Sequence, residues 1–361
     1  MVRREGGVFN CSASPTVFTD IFYYQNARQE AKHHTEMSSQ SENEIGEYVE
    51  IRPGRKLYKR TISFSSTSEL TSERIVHLLF VHGSMASSDQ YDPLIGRMMN
   101  DSKNTANLEI ICHLFDALGC GMSRHRRRCR EVCTNSEHQG YSWDDFSEKE
   151  LANDLQAIFQ SIYNKLSGSS NEGSSATMYL VGHSYGTSQL LKLIHTQSQE
   201  DNVTHHVKGL ILIGGALGDG PANEIARDGG HPIFRLPTFV LNCMQHSLSQ
   251  NFVDAAFHES SCKLLRAASL QKSNRNSMHM CKAFYRQTRW VTSDHAQEVK
   301  LRTLVIHGEN DMILPVEAGE HLAKSLPRSK WVTISDASHQ VFQERPEAVC
   351  RVVLDFILES K

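Results

Sequence analysis

The sequence lacks the features that would assign it to several large classes of protein. Its formal net charge is only −3, so no overall electrostatic attraction indicates a nucleic-acid partner. No apolar run approaches the ~20 residues that a membrane-spanning helix requires. The nine cysteines are odd in number and scattered along the chain, a distribution that argues against a disulfide framework and favours a reducing compartment.

Targeting and cofactor motifs are missing as well. Arg3 and Arg4 lie near the N-terminus without the apolar segment of a secretory signal behind them. Glu5, Asp20 and Glu30 interrupt the pattern of a mitochondrial presequence. The sequence contains neither a glycine-rich phosphate loop nor a dinucleotide fingerprint. We therefore expect a cytoplasmic protein without a bound cofactor, and a mitochondrial location is less favoured.

One motif stands out, the sequence Gly-His-Ser-Tyr-Gly at Gly182–Gly186, which fits the G-x-S-x-G nucleophile elbow. The apolar segment Met178–Val181 predicts a buried strand before it, and the apolar spacing in Thr187–His195 predicts a helix after it. A sharp turn from strand to helix holds its central residue in a strained conformation, and side chains at the flanking positions would collide. The motif therefore predicts Ser184 as a nucleophile exposed at the edge of a sheet.

A serine nucleophile needs a general base and an acid that orients the base. The apolar strand Leu304–Gly308 leads into Asp311. A second apolar strand, Trp331–Ile334, leads into His339. Both side chains thus follow the carboxyl ends of predicted strands, where α/β sheets place their sites. Because the order serine, aspartate, histidine is that of α/β-hydrolases, we predict Ser184, Asp311 and His339 as the catalytic residues.

An oxyanion hole requires two N–H donors. One is expected to be the N–H of Tyr185, the residue after the nucleophile. The apolar segment Val76–Val81 predicts an earlier strand, and Gly83 lets the following loop turn so that the Ser84 N–H faces the site. We expect His82 to brace this loop by hydrogen bonds, since the predicted triad already contains a base.

The motifs resemble those of a known family. The segments that carry the resemblance are Tyr48–Arg55, His82-Gly83, Gly119–Ser123, Gly182–Gly186, Ile233–Thr238, Val240–Cys243 and His339. They resemble the α/β-hydrolases, and among these the α/β-hydrolase domain-containing protein 8 group, over most of the chain from Tyr48 onward. The elbow is common to the superfamily, whereas the Ile-Phe-x-x-Pro-Thr stretch is more specific. The resemblance implies an α/β-hydrolase fold and a serine hydrolase activity.

The remaining pattern predicts the domain organisation. Residues 1–46 are mostly polar and predict a mobile N-terminal extension. Alternating strands and helices over 47–216 and 300–361 predict a doubly wound, mostly parallel sheet that forms the hydrolase core. Helical spacing over 217–299 predicts a helical lid between strands six and seven. Asp219 lies at the entrance of this lid, so we do not expect it to be the triad acid.

Four large apolar side chains of the predicted lid are candidate substrate contacts: Phe234, Met244, Phe284 and Trp290. Lids of this kind cover the elbow and shape the pocket for the acyl or leaving group. Each side chain also fits an ordinary place in the core, and both interpretations stay open.

A basic segment follows the fourth predicted strand. It carries five arginines: Arg124, Arg126, Arg127, Arg128 and Arg130. The segment fits a solvated loop, and it also fits peripheral contact with an anionic membrane or a phosphate group. The histidines and cysteines within residues 125–138 match no common zinc finger, so we expect no metal site.

Together these residues predict a serine hydrolase that cleaves the carboxylic ester of a lipid or another small acyl compound through an acyl-enzyme. Two other functions stay open. One is a lysophospholipid acyltransferase, although related proteins carry a His-x4-Asp motif where this chain has Glu344 after His339. The other is a non-enzymatic interaction protein that retains the fold. The sequence predicts no oligomeric state.

Overall fold

The computed structural model describes residues 44–65, 74–102, 108–124, 142–168, 175–198, 206–221 and 229–359. The predicted N-terminal extension lies outside the described residues up to residue 43. The first strand begins at Glu44, earlier than the predicted boundary at residue 47. It pairs with the second strand across a turn at Pro53-Gly54, which forms the hairpin at the edge of the sheet.

Eight strands form one sheet in the described part of the chain. They are Glu44–Arg52 (β1), Arg55–Ser65 (β2), Arg74–Val81 (β3), Leu108–Asp116 (β4), Ser175–His183 (β5), Val207–Ile213 (β6), Thr303–Gly308 (β7) and Ser329–Ile334 (β8). Their order across the sheet is β1-β2-β4-β3-β5-β6-β7-β8. The first two strands run antiparallel to their neighbours, and the other six are mutually parallel. The mostly parallel sheet predicted from the sequence is confirmed.

Helices cover both faces of this sheet. They are Asp92–Ser102 (α1), Glu148–Gly168 (α2), Tyr185–Ser198 (α3), Thr238–Ala256 (α4), Lys263–Ser273 (α5), Met278–Gln287 (α6), Ser293–Glu298 (α7), Val316–Ser325 (α8), Val341–Glu344 (α9) and Pro346–Leu358 (α10). Successive β3 side chains enter different cores, because strand residues alternate between faces. Leu78 packs with residues of α1 and α10, whereas Leu79 packs with residues of α2, α3 and α8. None of these helices is long and apolar enough to cross a membrane.

Four helices, α4 to α7, lie between β6 and β7 and are called the inserted helices below. They fall within residues 217–299, the segment predicted as a lid. Helix α6 carries one apolar face, and Met280, Ala283 and Phe284 on that face join the core beside α2 and α3. Helix α6 is therefore packed onto the sheet domain by buried side chains.

Sheet order brings the candidate residues to one edge. Strand β3 pairs with β5, so the loop after Val81 lies beside the turn that carries Ser184. Strand β7 pairs with β8, so the loops that carry Asp311 and His339 are also neighbours. All four strands are parallel, and their carboxyl ends meet at the same edge.

Candidate active site

Ser184 occupies the turn between β5 and α3. Its φ is 52°, in the left-handed region that residues other than glycine rarely adopt. A Cβ on Gly186 would lie 2.4 Å from the Val81 carbonyl oxygen, and a Cβ on Gly182 would lie 2.9 Å from the Gly186 backbone. Only glycine fits at these two positions, which explains why the motif flanks the serine with glycines.

Backbone hydrogen bonds hold the Ser184 turn against the sheet. The Ser184 N–H donates to the Ile213 carbonyl at 2.9 Å, at the end of β6. The Ser184 carbonyl accepts from the N–H of Thr187 at 3.0 Å and from its hydroxyl at 2.7 Å. The residue keeps 9% of its surface exposed, so the serine is fixed in position and still reachable at the sheet edge.

His339 and Asp311 form a buried pair beside this turn. The His339 Nδ1 lies 2.8 Å from Asp311 Oδ2. A carboxylate only accepts hydrogen bonds, so Nδ1 carries the hydrogen and Nε2 keeps its lone pair, as a general base requires. The His339 ring lies 4.8 Å from the ring of His183, the residue before Ser184. The His183 Nε2–H also donates to the His339 carbonyl at 3.0 Å, which ties the histidine loop to the elbow.

The Asp311 carboxylate is held by donors of its own loop. Its Oδ1 accepts from the N–H groups of Ile313 at 2.8 Å and Leu314 at 2.9 Å. The His307 Nε2 lies 3.2 Å from Oδ2. Burial alone would raise the pKa of this carboxyl, but the His339 imidazole and hydrogen bonds from His307 and His339 hold the pKa below its ordinary value. Asp311 is therefore an ionised and oriented partner for His339 at neutral pH.

Asp219 lies at a different place in the fold. Both of its carboxylate oxygens are 3.0 Å from the N–H of Ser293, the first residue of α7. A carboxylate in this position satisfies a free N–H at a helix N-terminus. The structure thus brings Asp311 to His339, whereas Asp219 serves the inserted helices.

The loop after β3 lies directly against Ser184. A Cβ on Gly83 would lie 3.0 Å from the Ser184 Cβ, so the two loops are in contact. Among the described residues, the Ser84 N–H has no hydrogen-bond partner. Tyr185 is the first residue of α3, so its N–H belongs to the first turn of that helix. The structure therefore brings both predicted oxyanion donors, Ser84 and Tyr185, next to Ser184.

His82 braces this loop. The Ala117 N–H donates to His82 Nε2 at 2.9 Å, so the ring hydrogen is on Nδ1. Nδ1 in turn lies 2.8 Å from the Gly83 carbonyl and donates to it. Burial lowers the pKa of His82, against smaller opposing effects from Asp116 and the Gly83 hydrogen bond. A neutral ring with both nitrogens engaged fits bracing and leaves no nitrogen for proton transfer.

The four predicted pocket residues have different surroundings. Phe284 and Trp290 are buried, and their rings pack edge-on against Tyr185 at 5.5 and 5.3 Å. Phe234 stacks on a tyrosine ring of α6 at 4.5 Å. Met244 is half-buried on α4. These contacts give Phe284 and Trp290 a packing role beside the elbow, and contact of any of the four with substrate stays a prediction.

Of the arginine-rich segment, the structure describes only Arg124. Its Nη2 donates to Asn276 Oδ1 at 2.7 Å, so this guanidinium faces the inserted helices. The other four arginines lie outside the described residues, as do the histidines and cysteines within residues 125–138. Membrane contact through this segment therefore stays a prediction, and Arg124 has an intramolecular partner instead.

Sequence reasoning missed the role of Glu344. Its Oε2 accepts from the Ser338 N–H at 2.8 Å, directly before His339. Its Oε1 accepts from the His258 N–H at 2.6 Å and from the Ser261 hydroxyl at 2.5 Å. The carboxylate thus joins the histidine loop to the segment that follows α4. Its position soon after the histidine was the available signal, and it was interpreted only as a departure from the His-x4-Asp motif.

The chain is similar to several known proteins. The model of the serine aminopeptidase S33 family matches residues 73–346. Protein ABHD8 of Homo sapiens is 28% identical over 210 residues, which cover 58% of this chain and 43% of that protein. Monoacylglycerol lipase ABHD6 of Rattus norvegicus is 30% identical over 71 residues, which cover 20% of this chain and 21% of that protein. The chain therefore spans less than half the length of these relatives, and the predicted resemblance to the α/β-hydrolase domain-containing protein 8 group is confirmed.

A solved structure shows the same fold. The esterase EaEST from Exiguobacterium antarcticum superposes with a TM-score of 0.62 at 16% identity, over 87% of this chain and 99% of that chain. Identity this low carries the fold alone, and the α/β-hydrolase fold expected from the sequence is confirmed.

Proposed function

Because the chain belongs to the serine aminopeptidase S33 family, we propose that it is a serine hydrolase that cleaves carboxylic esters through Ser184, His339 and Asp311. The observation that carries this proposal is the 2.8 Å hydrogen bond between His339 and Asp311, next to a serine at φ 52°. A strained serine at an elbow beside an oriented imidazole is the arrangement that activates a hydroxyl nucleophile.

The mechanism follows from the positions of these groups. As Ser184 Oγ attacks the ester carbonyl, His339 Nε2 takes the hydroxyl proton. The N–H groups of Ser84 and Tyr185 stabilise the negative charge on the carbonyl oxygen. His339 then gives the proton to the leaving alcohol, and the acyl group remains on Ser184. A water molecule deprotonated by His339 attacks this acyl-enzyme, which releases the acid and restores the serine.

An ester fits the surroundings of the site better than the substrate of an aminopeptidase. An aminopeptidase binds a free ammonium group, which a carboxylate recognises best. Among the described residues, three carboxylates near the site are already engaged by the protein. Asp311 and Glu344 hold the contacts described above, and Asp116 accepts from the N–H groups of Ser88 and Met122, each at 2.7 Å. The name of one relative, monoacylglycerol lipase, supports glycerol esters as the first substrates to test.

A fluorophosphonate probe tests the enzyme assignment directly, because it reacts covalently with an activated serine. We expect labelling of the parent protein at Ser184, located by peptide mass spectrometry. A protein that keeps the fold only to contact partners would not react, so an inert and correctly folded chain would overturn the proposal.

Substrate series then separate the possible reactions. We expect turnover of p-nitrophenyl esters and monoacylglycerols of graded chain length, and little release from aminoacyl p-nitroanilides. Faster anilide than ester turnover would assign an aminopeptidase instead. Product analysis with and without a lysophospholipid acceptor completes the test, because acyl transfer would yield a phospholipid in place of the free acid.

A further inference from the structure

The loop that carries Ser84 contains a strained turn. The Ala86 N–H bonds back to the Gly83 carbonyl at 3.3 Å, which closes a turn with Ser84 and Met85 at its centre. Met85 has a φ of 55°, while Ser84 does not have a positive φ. A positive φ at the third position only is the pattern of a type II turn, in which glycine or asparagine normally takes that place. Methionine has a Cβ, so it adopts this conformation only under steric strain that contacts with the surrounding structure must offset.

A side chain from the loop between two of the inserted helices holds this turn. Asn276, between α5 and α6, donates from Nδ2 to the Met85 carbonyl at 2.8 Å. The two residues are 191 positions apart in the chain. Asn276 is buried, with only 5% of its surface exposed, so water does not compete freely for this hydrogen bond.

Two further contacts fix the orientation of the Asn276 amide. The Arg124 guanidinium, which can only donate, lies 2.7 Å from Oδ1, so the amide nitrogen must be the atom that faces Met85. The Gln245 Nε2 donates to the Asn276 carbonyl at 2.8 Å and so fixes its backbone as well. The donor is therefore held in place before any substrate binds.

The inserted helices contact both central residues of the turn, Ser84 and Met85. The Met85 side chain packs against a small buried cluster of Leu241, Met278 and Cys281. Burial raises the pKa of Tyr285 on α6, and a hydrogen bond with the Ser84 side chain lowers it by less. The two central residues of the turn thus contact the inserted helices, whereas Gly83 contacts Ser184.

We propose that Asn276 is a positioning residue of the oxyanion hole: its hydrogen bond keeps Met85 in the left-handed conformation and thereby keeps the Ser84 N–H aimed at the substrate oxyanion. This inference rests on the proposed function. Without the hydrogen bond, Met85 relaxes to a negative φ, which rotates the central peptide of the turn and displaces Ser84. Misplacing one oxyanion donor weakens transition-state stabilisation and leaves ground-state binding largely unchanged.

The first test is Asn276→Asp, which keeps the shape and the acceptor for Arg124 but removes the donor to Met85. We expect kcat for a p-nitrophenyl ester to fall about 10- to 100-fold, within the effect of losing one oxyanion donor, while KM changes less than about threefold. Asn276→Ala is the second variant, should the carboxylate disturb folding. Near-parental kcat in either folded variant would overturn the proposal.

Inhibitors supply a readout that a merely structural role would not move. The Ser184 hydroxyl adds to the carbonyl of a trifluoromethyl ketone, and the adduct carries an oxyanion. The ketone should carry the acyl chain of the p-nitrophenyl ester used in the assay. The carboxylic acid released from that ester does not form such an adduct. We expect the trifluoromethyl ketone to bind the Asn276 variants more weakly in parallel with the loss of kcat, and the product acid to bind as before. Equal weakening of both ligands would place Asn276 in the acyl pocket and overturn the positioning role.

Gln287→Met is the matched control. Gln287 Nε2 also donates from an inserted helix to a core backbone carbonyl, that of Trp143 at 2.7 Å, but lies away from the turn at Met85. Loss of this contact should leave kcat and trifluoromethyl ketone affinity within about twofold of the parent, since the loop is untouched. An equal fall of kcat in Gln287→Met would mean that any loosening of the inserted helices suffices, and would overturn the specific role of Asn276.

Relief of the strain supplies the last test. Glycine adopts a positive φ without cost, so in a Met85→Gly background the Asn276→Asp change should lower kcat by no more than about threefold. A full loss of kcat in that background would contradict the proposed link through Met85.

The parent protein separates the two hypotheses. An inert parent would overturn the proposed function and this inference with it, whereas an active parent with equally active Asn276 variants would overturn this inference alone.

Discussion

The nucleophile loop and the oxyanion loop lie in contact, yet different parts of the chain hold them. The Ser184 turn is fixed by the backbone of the sheet, through the Ile213 carbonyl and the close approach of Gly186 to Val81. The turn at Met85 is fixed by side chains of the inserted helices and of the loop between α5 and α6, chiefly Asn276. Ser184 is thus placed by the geometry of a strand-to-helix turn, and the turn of Ser84 and Met85 by the segment between β6 and β7.

This difference predicts how the two loops respond to change. In the proposed mechanism, loss of a triad residue removes the chemistry itself, whatever the contacts of the inserted helices. Damage to the contacts of the inserted helices leaves the nucleophile intact and weakens only the stabilisation of the transition state or the aim of the base. The loss of kcat should therefore be largest for the triad residues and smaller for residues farther from them. Each variant below measures this loss for one residue or segment.

The largest effect is expected for Ser184→Ala. In the proposed mechanism its hydroxyl forms the acyl-enzyme, and loss of a triad nucleophile lowers kcat by up to ~10⁶. Serine and alanine both carry a Cβ, so the strain of the turn is unchanged, and circular dichroism and a thermal melt should show a folded variant beside the ester assay. A folded variant that still turns over esters and reacts with the fluorophosphonate would remove Ser184 from the mechanism.

The next effect is expected for Asp311→Asn, at roughly 10⁴ in kcat, because the amide no longer holds His339 in the tautomer with a free Nε2. Asp219→Asn is the matched control, since among the described residues the Asp219 carboxylate accepts hydrogen bonds only from the Ser293 N–H. Steady-state kinetics of both variants decide the assignment. A severe loss in Asp219→Asn beside a mild loss in Asp311→Asn would show that the acid has been misplaced.

A smaller loss of kcat is expected for Glu344→Gln. This variant tests the contact between the His339 loop and the segment that follows α4. The amide can keep only part of the three hydrogen bonds to Ser338, His258 and Ser261. Leaving such donors unsatisfied costs about 1–3 kcal/mol in unfolding free energy, and a small shift of His339 should lower kcat about 10-fold. Denaturant unfolding and ester kinetics measure the two effects, and a variant with parental values for both would assign the carboxylate no role.

The comparison also explains how much the sequence could predict. Ser184, Asp311 and His339 each follow an apolar strand within a few residues, so local patterns and chain order locate them. The alternation of strands and helices predicted the mostly parallel sheet for the same reason, because neighbouring residues decide each element. Gly83 similarly predicts the turn after β3, although it does not reveal the strain at Met85.

The features that the sequence did not predict depend on contacts between residues that are distant in the chain. Asn276 is 191 positions from Met85, and no periodicity or motif connects them. Arg124 looked like one member of a solvated basic run, but a buried asparagine turns its guanidinium inward. Glu344 has three partners from two separate segments, and only the folded chain brings those segments together.

The smallest effect on chemistry is expected for the arginines beyond Arg124. We propose that this segment binds anionic membranes, where each basic residue contributes about 1 kcal/mol, screened by salt. Arg126, Arg127 and Arg128 lie outside the described residues, so the prediction rests on the density of charge in the sequence. The triple change to alanine should weaken binding to phosphatidylserine vesicles about 100-fold at low salt and leave the turnover of a short soluble ester unchanged.

Arg124→Ala is the counterpart that sharpens this test. Its guanidinium orients Asn276, so this single change should lower soluble-ester turnover. Its effect on vesicle binding should be only the loss of one positive charge, about 1 kcal/mol. Vesicle co-sedimentation and ester kinetics on the same preparations measure both quantities. If the triple variant bound vesicles like the parent, the run would be a solvated loop. If the triple variant also lost soluble-ester turnover, these arginines would support the active site, as Arg124 does through Asn276, and the separation between a membrane-binding segment and a loop-positioning arginine would fail.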